Sequence, residues 1–96
     1  MKILKDIAAQ IRAAGIPCNL CLSDAHDVVD DQIDLADFPG AFVQISATRT
    51  GLEFMPGYFH DAGDDSCMVD GPVTRDPVAA AHKAVRLYNA NAKVPA

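Results

Sequence analysis

The hydrophobic period changes twice along this chain, and the order of the periods is the strongest constraint on its fold. Apolar residues recur at helical spacing from Lys2 to Ala14 and again from Pro77 to Asn89, whereas Ala41 to Thr48 follows a period of two. A helix, a group of strands and a second helix in this order favour an α+β fold over a parallel βαβ fold. The 96 residues are enough for one core without metal or disulfide support, so residues 1–96 are expected to form a single small α+β domain.

Local signals predict where the two helices begin and end. Gly15 is suited to end the first helix, and Pro17 cannot extend it. Asp76 can accept hydrogen bonds from the free amides of the last helix, and Pro77 fits its first position. The apolar stripe expected to pack on the sheet comprises Val78, Ala81, Ala84, Val85 and Tyr88.

Turn residues divide the middle of the chain into strands. Thr48-Arg49-Thr50-Gly51 predicts a hairpin connection between the strand at Ala41 and a returning strand at Leu52 to Met55. Pro56-Gly57 is expected to break that strand, with Tyr58 to His60 resuming it past a bulge or turn. Ser66 to Val69 follows as a further strand. We therefore predict a three- to four-stranded antiparallel sheet with the C-terminal helix packed on it.

The segment from Ser23 to Asp37 fits two structures. Read as a helix, it places its apolar residues on one face and six aspartates on the other, with Ser23 as N-cap. In the alternative, Gln32 to Ala36 is a strand with Ile33 and Leu35 facing the core, paired through a turn at residues 38–40 with the strand at Ala41. The helix is the preferred prediction.

Charge excludes some functions and indicates another. The formal charge is −5, and of 13 acidic residues only Glu53 is not aspartate. Direct binding to nucleic acid is not expected of such a chain, because it depends on Lys and Arg. No membrane is expected as a partner, because no apolar run is long enough to span one. An aspartate-rich face without Lys or Arg suits a basic partner surface, including one built for nucleic-acid phosphates. The predicted partner-binding residues are Asp24, Asp27, Asp30, Asp31, Asp34 and Asp37.

The spacing of cysteines suggests an alternative function. Cys18 and Cys21 form a Cys-x2-Cys pair, and with His26 they resemble the first three ligands of a zinc knuckle. The fourth position of that pattern is Asp31, which is not Cys, so Cys67 would have to complete a zinc or thiol module. The competing interpretation makes the two cysteines small hydrophobic residues of a short strand. No cofactor is the first expectation, and zinc is the alternative.

No motif for catalysis is present, and we predict that the chain is not an enzyme. His82 is expected to be a partly buried structural histidine beside the apolar stripe, and the loop from His60 to Asp65 to be a plain loop. A homodimer through the strand from Phe54 to Phe59 is a further expectation. The small size, acidity and lack of chemical motifs predict a non-enzymatic accessory or inhibitor protein of a phage or mobile element, of the nucleic-acid-mimic type. Three cysteines without an apolar leader predict the cytoplasm.

Overall fold

The computed structural model describes residues 2–21, 31–62 and 65–91 and confirms the α+β fold class. Five strands lie between an N-terminal and a C-terminal helix, so the predicted count of three or four strands is too low. The elements are α1 (Lys2–Ala13), β1 (Cys18–Cys21), β2 (Asp31–Leu35), β3 (Ala41–Thr48), β4 (Gly51–Ala62), β5 (Asp65–Asp70) and α2 (Pro77–Asn91).

All five strands belong to one antiparallel sheet, in which each strand pairs with the next one in the chain. β1 and β5 are the edges, and β3 is central. The hairpin of β3 and β4 extends from Thr48 opposite Gly51 to Ala41 opposite Tyr58. At its tip Thr48 Oγ1 donates to Gly51 O at 2.9 Å, and Gly51 adopts a positive φ, which confirms the predicted hairpin connection.

Both helices cover the same face of the sheet. α2 contacts β3, β4 and β5, while α1 contacts β1 and α2. The buried alanines of α2 let its backbone approach the strands closely, and two of the three, Ala81 and Ala84, belong to the predicted stripe. The core between the layers includes Ile7 and Ile11 from α1, Ala80, Ala81 and Ala84 from α2, and Ile33, Leu35, Val43, Ile45, Phe54 and Tyr58 from the sheet.

Both predicted helix boundaries depend on local hydrogen bonds. Gly15, at φ 90°, donates to Arg12 O at 2.9 Å, and Ile16 N donates to Ile11 O at 3.3 Å. This pair of bonds is a Schellman motif, which ends α1 one residue before the predicted position. At the start of α2, Asp76 Oδ1 accepts from Val78 N at 3.0 Å, which confirms the predicted N-cap.

The preferred helix over Ser23 to Asp37 is wrong at Asp31–Leu35, which form β2. Ile33 pairs with Leu20 of β1 on one side and with Val43 of β3 on the other. Pairing with strands on both sides satisfies the backbone hydrogen bonds of β2 and buries its apolar side chains. These gains outweigh the helical periodicity of the segment, whose aspartates are poor helix formers. The alternative strand is therefore correct, one residue earlier than predicted. Residues 22–30 of the predicted helix lie outside the described residues.

β4 passes through Pro56-Gly57 without the predicted break. The backbone of Pro56 is directed toward the β5 side, where its carbonyl accepts from Gly71 N at 2.9 Å. β5 has ended at Asp70, so the missing amide of Pro56 removes no hydrogen bond of the β5 ladder. At Pro56, the side of β4 that faces β5 therefore needs no backbone donor.

Within the described chain, neither helix has the length and apolar character needed to cross a lipid bilayer.

Candidate functional site

The second face of the sheet is covered by no helix of the described chain. We call it the open face. Its side chains alternate with those of the core and occupy paired positions from β2 to β5. The open face consists of Gln32 and Asp34 on β2, Phe42, Gln44 and Ser46 on β3, Glu53, Met55, Gly57 and Phe59 on β4, and Ser66, Met68 and Asp70 on β5.

Charge is divided between the two layers of the fold. The five strands contain no Lys or Arg, although they contain six of the 13 acidic residues: Asp31, Asp34, Glu53, Asp61, Asp65 and Asp70. Of the eight basic residues, five lie on α1 and α2 (Lys2, Lys5, Arg12, Lys83 and Arg86), Arg49 and Arg75 lie in connections, and Lys93 is outside the described residues. The open face therefore carries negative charge without a basic residue of its own.

Apolar side chains lie among these carboxylates. Phe42 is only 7% exposed although it belongs to the open face. Its ring lies against the backbone of Gly57, the residue opposite, where a Cβ atom would be 2.4 Å from Phe42 Cζ. Phe59 and Met68, which are also paired, are 47% and 66% exposed. The open face thus has a flat aromatic floor beside an exposed apolar pair.

A groove of about 530 Å³ joins these features. Phe42, Phe59 and Met68 line it together with Gln32 and Asp34. Gln32 Nε2 donates to Asp34 Oδ1 at 2.6 Å, and Oδ2 accepts no hydrogen bond from any described residue. This half-buried carboxylate is oriented by a neighbouring amide and has no cation beside it among the described residues, so it can receive a donor from outside the chain.

The structure describes three of the six predicted partner-binding aspartates and places none of these three on a helix. Asp34 lies on the open face, and Asp37 is exposed in the turn after β2. Asp31 is part of β2. Asp24, Asp27 and Asp30 lie outside the described residues. Sequence analysis missed Glu53 and Asp70 of the open face, and the signal that could have found them is the absence of Lys and Arg from every strand.

Cys18 is buried beneath α1 at the β1 edge of the sheet. Its Sγ donates to Ala8 O at 3.5 Å, and its own carbonyl accepts from Arg12 Nη2 at 2.9 Å. Burial raises the pKa of the Cys18 thiol above the ordinary value, and the charge of Arg12 partly offsets this. The environment keeps Cys18 protonated, which is the opposite of what a metal ligand or nucleophile needs.

The predicted cysteine ligands do not come together. Cys18 and Cys67 lie on opposite edge strands, four strand spacings or about 19 Å apart, so one zinc ion cannot bind both. Cys18 and Cys21 are three residues apart in an extended strand, where their Cα atoms are separated by about 10 Å. Within the described chain no three His, Cys, Asp or Glu side chains could hold a metal ion. His26 lies outside the described residues, and its role stays a prediction.

The remaining histidines differ from expectation. His82 is exposed on α2, because it lies outside the helix face on which Ala81 and Ala84 are buried against the sheet. His60 belongs to β4 and not to a loop; it pairs with Cys67, and its Nδ1 shares a hydrogen bond of 2.8 Å with Tyr58. Tyr58 is buried and stacks edge-on against Tyr88, so this histidine is tied into the packing of α2 on the sheet.

Cys18 predicts a pH dependence of stability. Since its pKa is raised in the folded state, the unfolded chain loses this proton first as the pH rises past the ordinary value of 9.0. The native state then binds more protons than the unfolded state, so the free energy of unfolding falls with rising pH. Urea unfolding at about pH 8 and about pH 10 should show a smaller fall for Cys18→Ala than for the native chain. Val43→Ala, which removes buried side-chain atoms but no titrating group, is the control and should keep the native dependence; equal falls in all three proteins would contradict the assignment.

Comparison with protein-family models, with curated proteins and with solved structures finds no match to this chain. Its function is therefore argued from the open face alone.

Proposed function

We propose that this chain is a non-enzymatic interaction protein whose open face binds a basic protein surface. The observation that carries the proposal is the division of charge: the strands hold six acidic residues and no Lys or Arg. Asp34, Glu53 and Asp70 lie on the open face between apolar side chains. A face of this kind attracts cations electrostatically and also offers apolar area to bury.

Charge selects among the possible partners. Nucleic acids and anionic lipid surfaces carry negative charge and would be repelled. A homodimer through β4, as the sequence suggests, would need its open face, because β3 pairs with one side of β4, and β5, Gly71 and Thr74 hydrogen-bond to the other. Two open faces in contact would bring carboxylates together with no basic residue from the strands of either copy. A basic protein is the partner that complements the face.

A narrower form of the proposal concerns the partner's own ligand. If the basic surface is one that binds nucleic-acid phosphates, this chain would act in the cytoplasm as an inhibitor of the nucleic-acid-mimic type, such as phages and mobile elements encode. The open face would then occupy the nucleic-acid site. Competition between DNA or RNA and this chain for the captured partner would test this form.

The test is capture from lysate with charge-matched baits at low and high salt. Asp34→Asn/Glu53→Gln removes two charges from the open face, whereas Asp6→Asn/Asp76→Asn removes two from the helical layer and keeps an N-cap residue at 76. We expect a basic protein that the native and helical-layer baits retain, that high salt elutes, and that the open-face variant loses. Equal capture by both variants, or captured proteins that are not basic, would refute the proposal.

A further inference from the structure

We infer that the groove beside Asp34 is a site for one arginine side chain of the basic partner, with its aliphatic part on Phe59 and Met68 and its guanidinium against the Asp34 carboxylate. This inference rests on the proposed function and deepens it by naming the group that anchors the partner. Within the open face, the groove combines exposed apolar area with a half-buried carboxylate whose Oδ2 accepts no hydrogen bond from any described residue.

The chemistry of the walls selects a long cation. An aliphatic side chain would cover Met68 and Phe59 but leave the Asp34 carboxylate desolvated without a partner, which is costly. A small cation would satisfy the carboxylate and leave the apolar pair exposed. A side chain with an apolar stem and a cationic end satisfies both, because such residues bury the stem and direct the charge to a polar group.

The carboxylate of the groove favours arginine over lysine. The Phe42 ring lies flat on Gly57 and is only 7% exposed, so it closes the floor of the groove next to the carboxylate on the neighbouring strand. A guanidinium is planar and donates in a fork to a carboxylate. The ammonium group of lysine is more strongly hydrated, so it would lose more hydration free energy than a guanidinium on entering the groove.

No Lys or Arg of the five strands competes with the partner for the Asp34 carboxylate. Gln32, which orients Asp34, is an uncharged donor to Oδ1 and leaves the charge of the carboxylate unbalanced. The open-face residues of β3 are Phe42, which is opposite Asp34, and then Gln44 and Ser46, and all three are uncharged. Attraction between Asp34 and an arginine of the partner is therefore not satisfied in advance by this chain's own strands.

The experiment is an NMR titration of the full chain with the blocked peptide acetyl-Gly-Arg-Gly-Arg-Gly-amide. Matched peptides carry lysine or the neutral isostere citrulline in place of arginine. Amide signals of Gln32, Phe42, Phe59 and Met68 should shift with the arginine peptide, less with the lysine peptide and not with citrulline. Asp34→Asn should weaken binding at least about tenfold, as expected for loss of a charged hydrogen bond, while Glu53→Gln, elsewhere on the open face, should change it less than about twofold.

Met68→Ser supplies a second variant that keeps the fold, because the side chain is 66% exposed. This variant should bind the arginine peptide more weakly than the native chain does, but it should still bind it more tightly than the lysine peptide. If the peptides bind but Asp34→Asn and Glu53→Gln weaken binding equally, the groove is not the arginine site. The proposal that the open face binds a basic protein would be retained. If no cationic peptide binds and capture from lysate shows no salt-sensitive partner, the groove and the proposed function fail together.

Discussion

Replacing Ile33 with alanine is expected to lower the free energy of unfolding by about 2–5 kcal/mol, as large-to-small changes in a packed core do. Ile33 is 0% exposed and lies in the middle of β2, paired with strands on both sides. The loss combines the transfer of the removed methylene and methyl groups with the cavity left between the sheet and the helices. Urea unfolding followed by circular dichroism measures it.

The matched control for Ile33 is its neighbour. Gln32→Ala removes a half-buried side chain of the open face and its hydrogen bond to Asp34, and should cost less than about 1 kcal/mol. A large loss at position 33 with a small loss at position 32 is the signature of a strand with one covered and one uncovered face. Similar losses at both positions would contradict the placement of β2.

Gly57→Ala is expected to destabilise the chain by about 1–3 kcal/mol, the usual cost of overpacking. In a strand, alanine would otherwise stabilise relative to glycine, because glycine loses more backbone freedom on folding. Here the new methyl group would lie 2.4 Å from Phe42 Cζ and less than 3 Å from two further ring atoms. The ring would have to leave the backbone of β4 and tilt into the groove.

A double-mutant cycle isolates this contact. In a Phe42→Ala background the added methyl group has no ring to meet, so Gly57→Ala should become neutral or stabilising. The coupling between positions 42 and 57, measured from the unfolding of the four proteins, should therefore be at least about 1 kcal/mol. Coupling near zero would mean that the Phe42 ring does not lie on Gly57. The same substitution should also reduce arginine-peptide binding, because it disturbs the groove floor.

How far the sequence predicts the fold depends on the range of the interactions involved. The end of α1 at Gly15 and the cap of α2 at Asp76 are decided by residues within one turn, so local patterns locate them. For β2 the sequence favours a helix because Ile33 and Leu35 fit both periods, and only pairing with β1 and β3 distinguishes the two structures. The predicted break at Pro56 is wrong because the tolerance of this proline depends on where β5 ends.

The sequence indicates the kind of surface that we propose as the site but not its place in the fold. The aspartates indicate an acidic surface without basic residues, yet the helical interpretation restricts it to residues 24–37. The open face instead collects Asp34, Glu53 and Asp70 from three strands that are distant in sequence. Neither the groove at Phe42 nor the exposure of Phe59 and Met68 follows from local pattern, because both depend on which face the two helices leave uncovered.

The strand order has a consequence for how the chain folds. Every pairing in the sheet joins consecutive strands, so the sheet can grow from the β3–β4 hairpin outward by closing only short loops. The two helices come from opposite ends of the chain and touch each other on the finished sheet, which closes the longest loop in the molecule. Their contact is therefore expected to form last, after each helix has docked on its own strands.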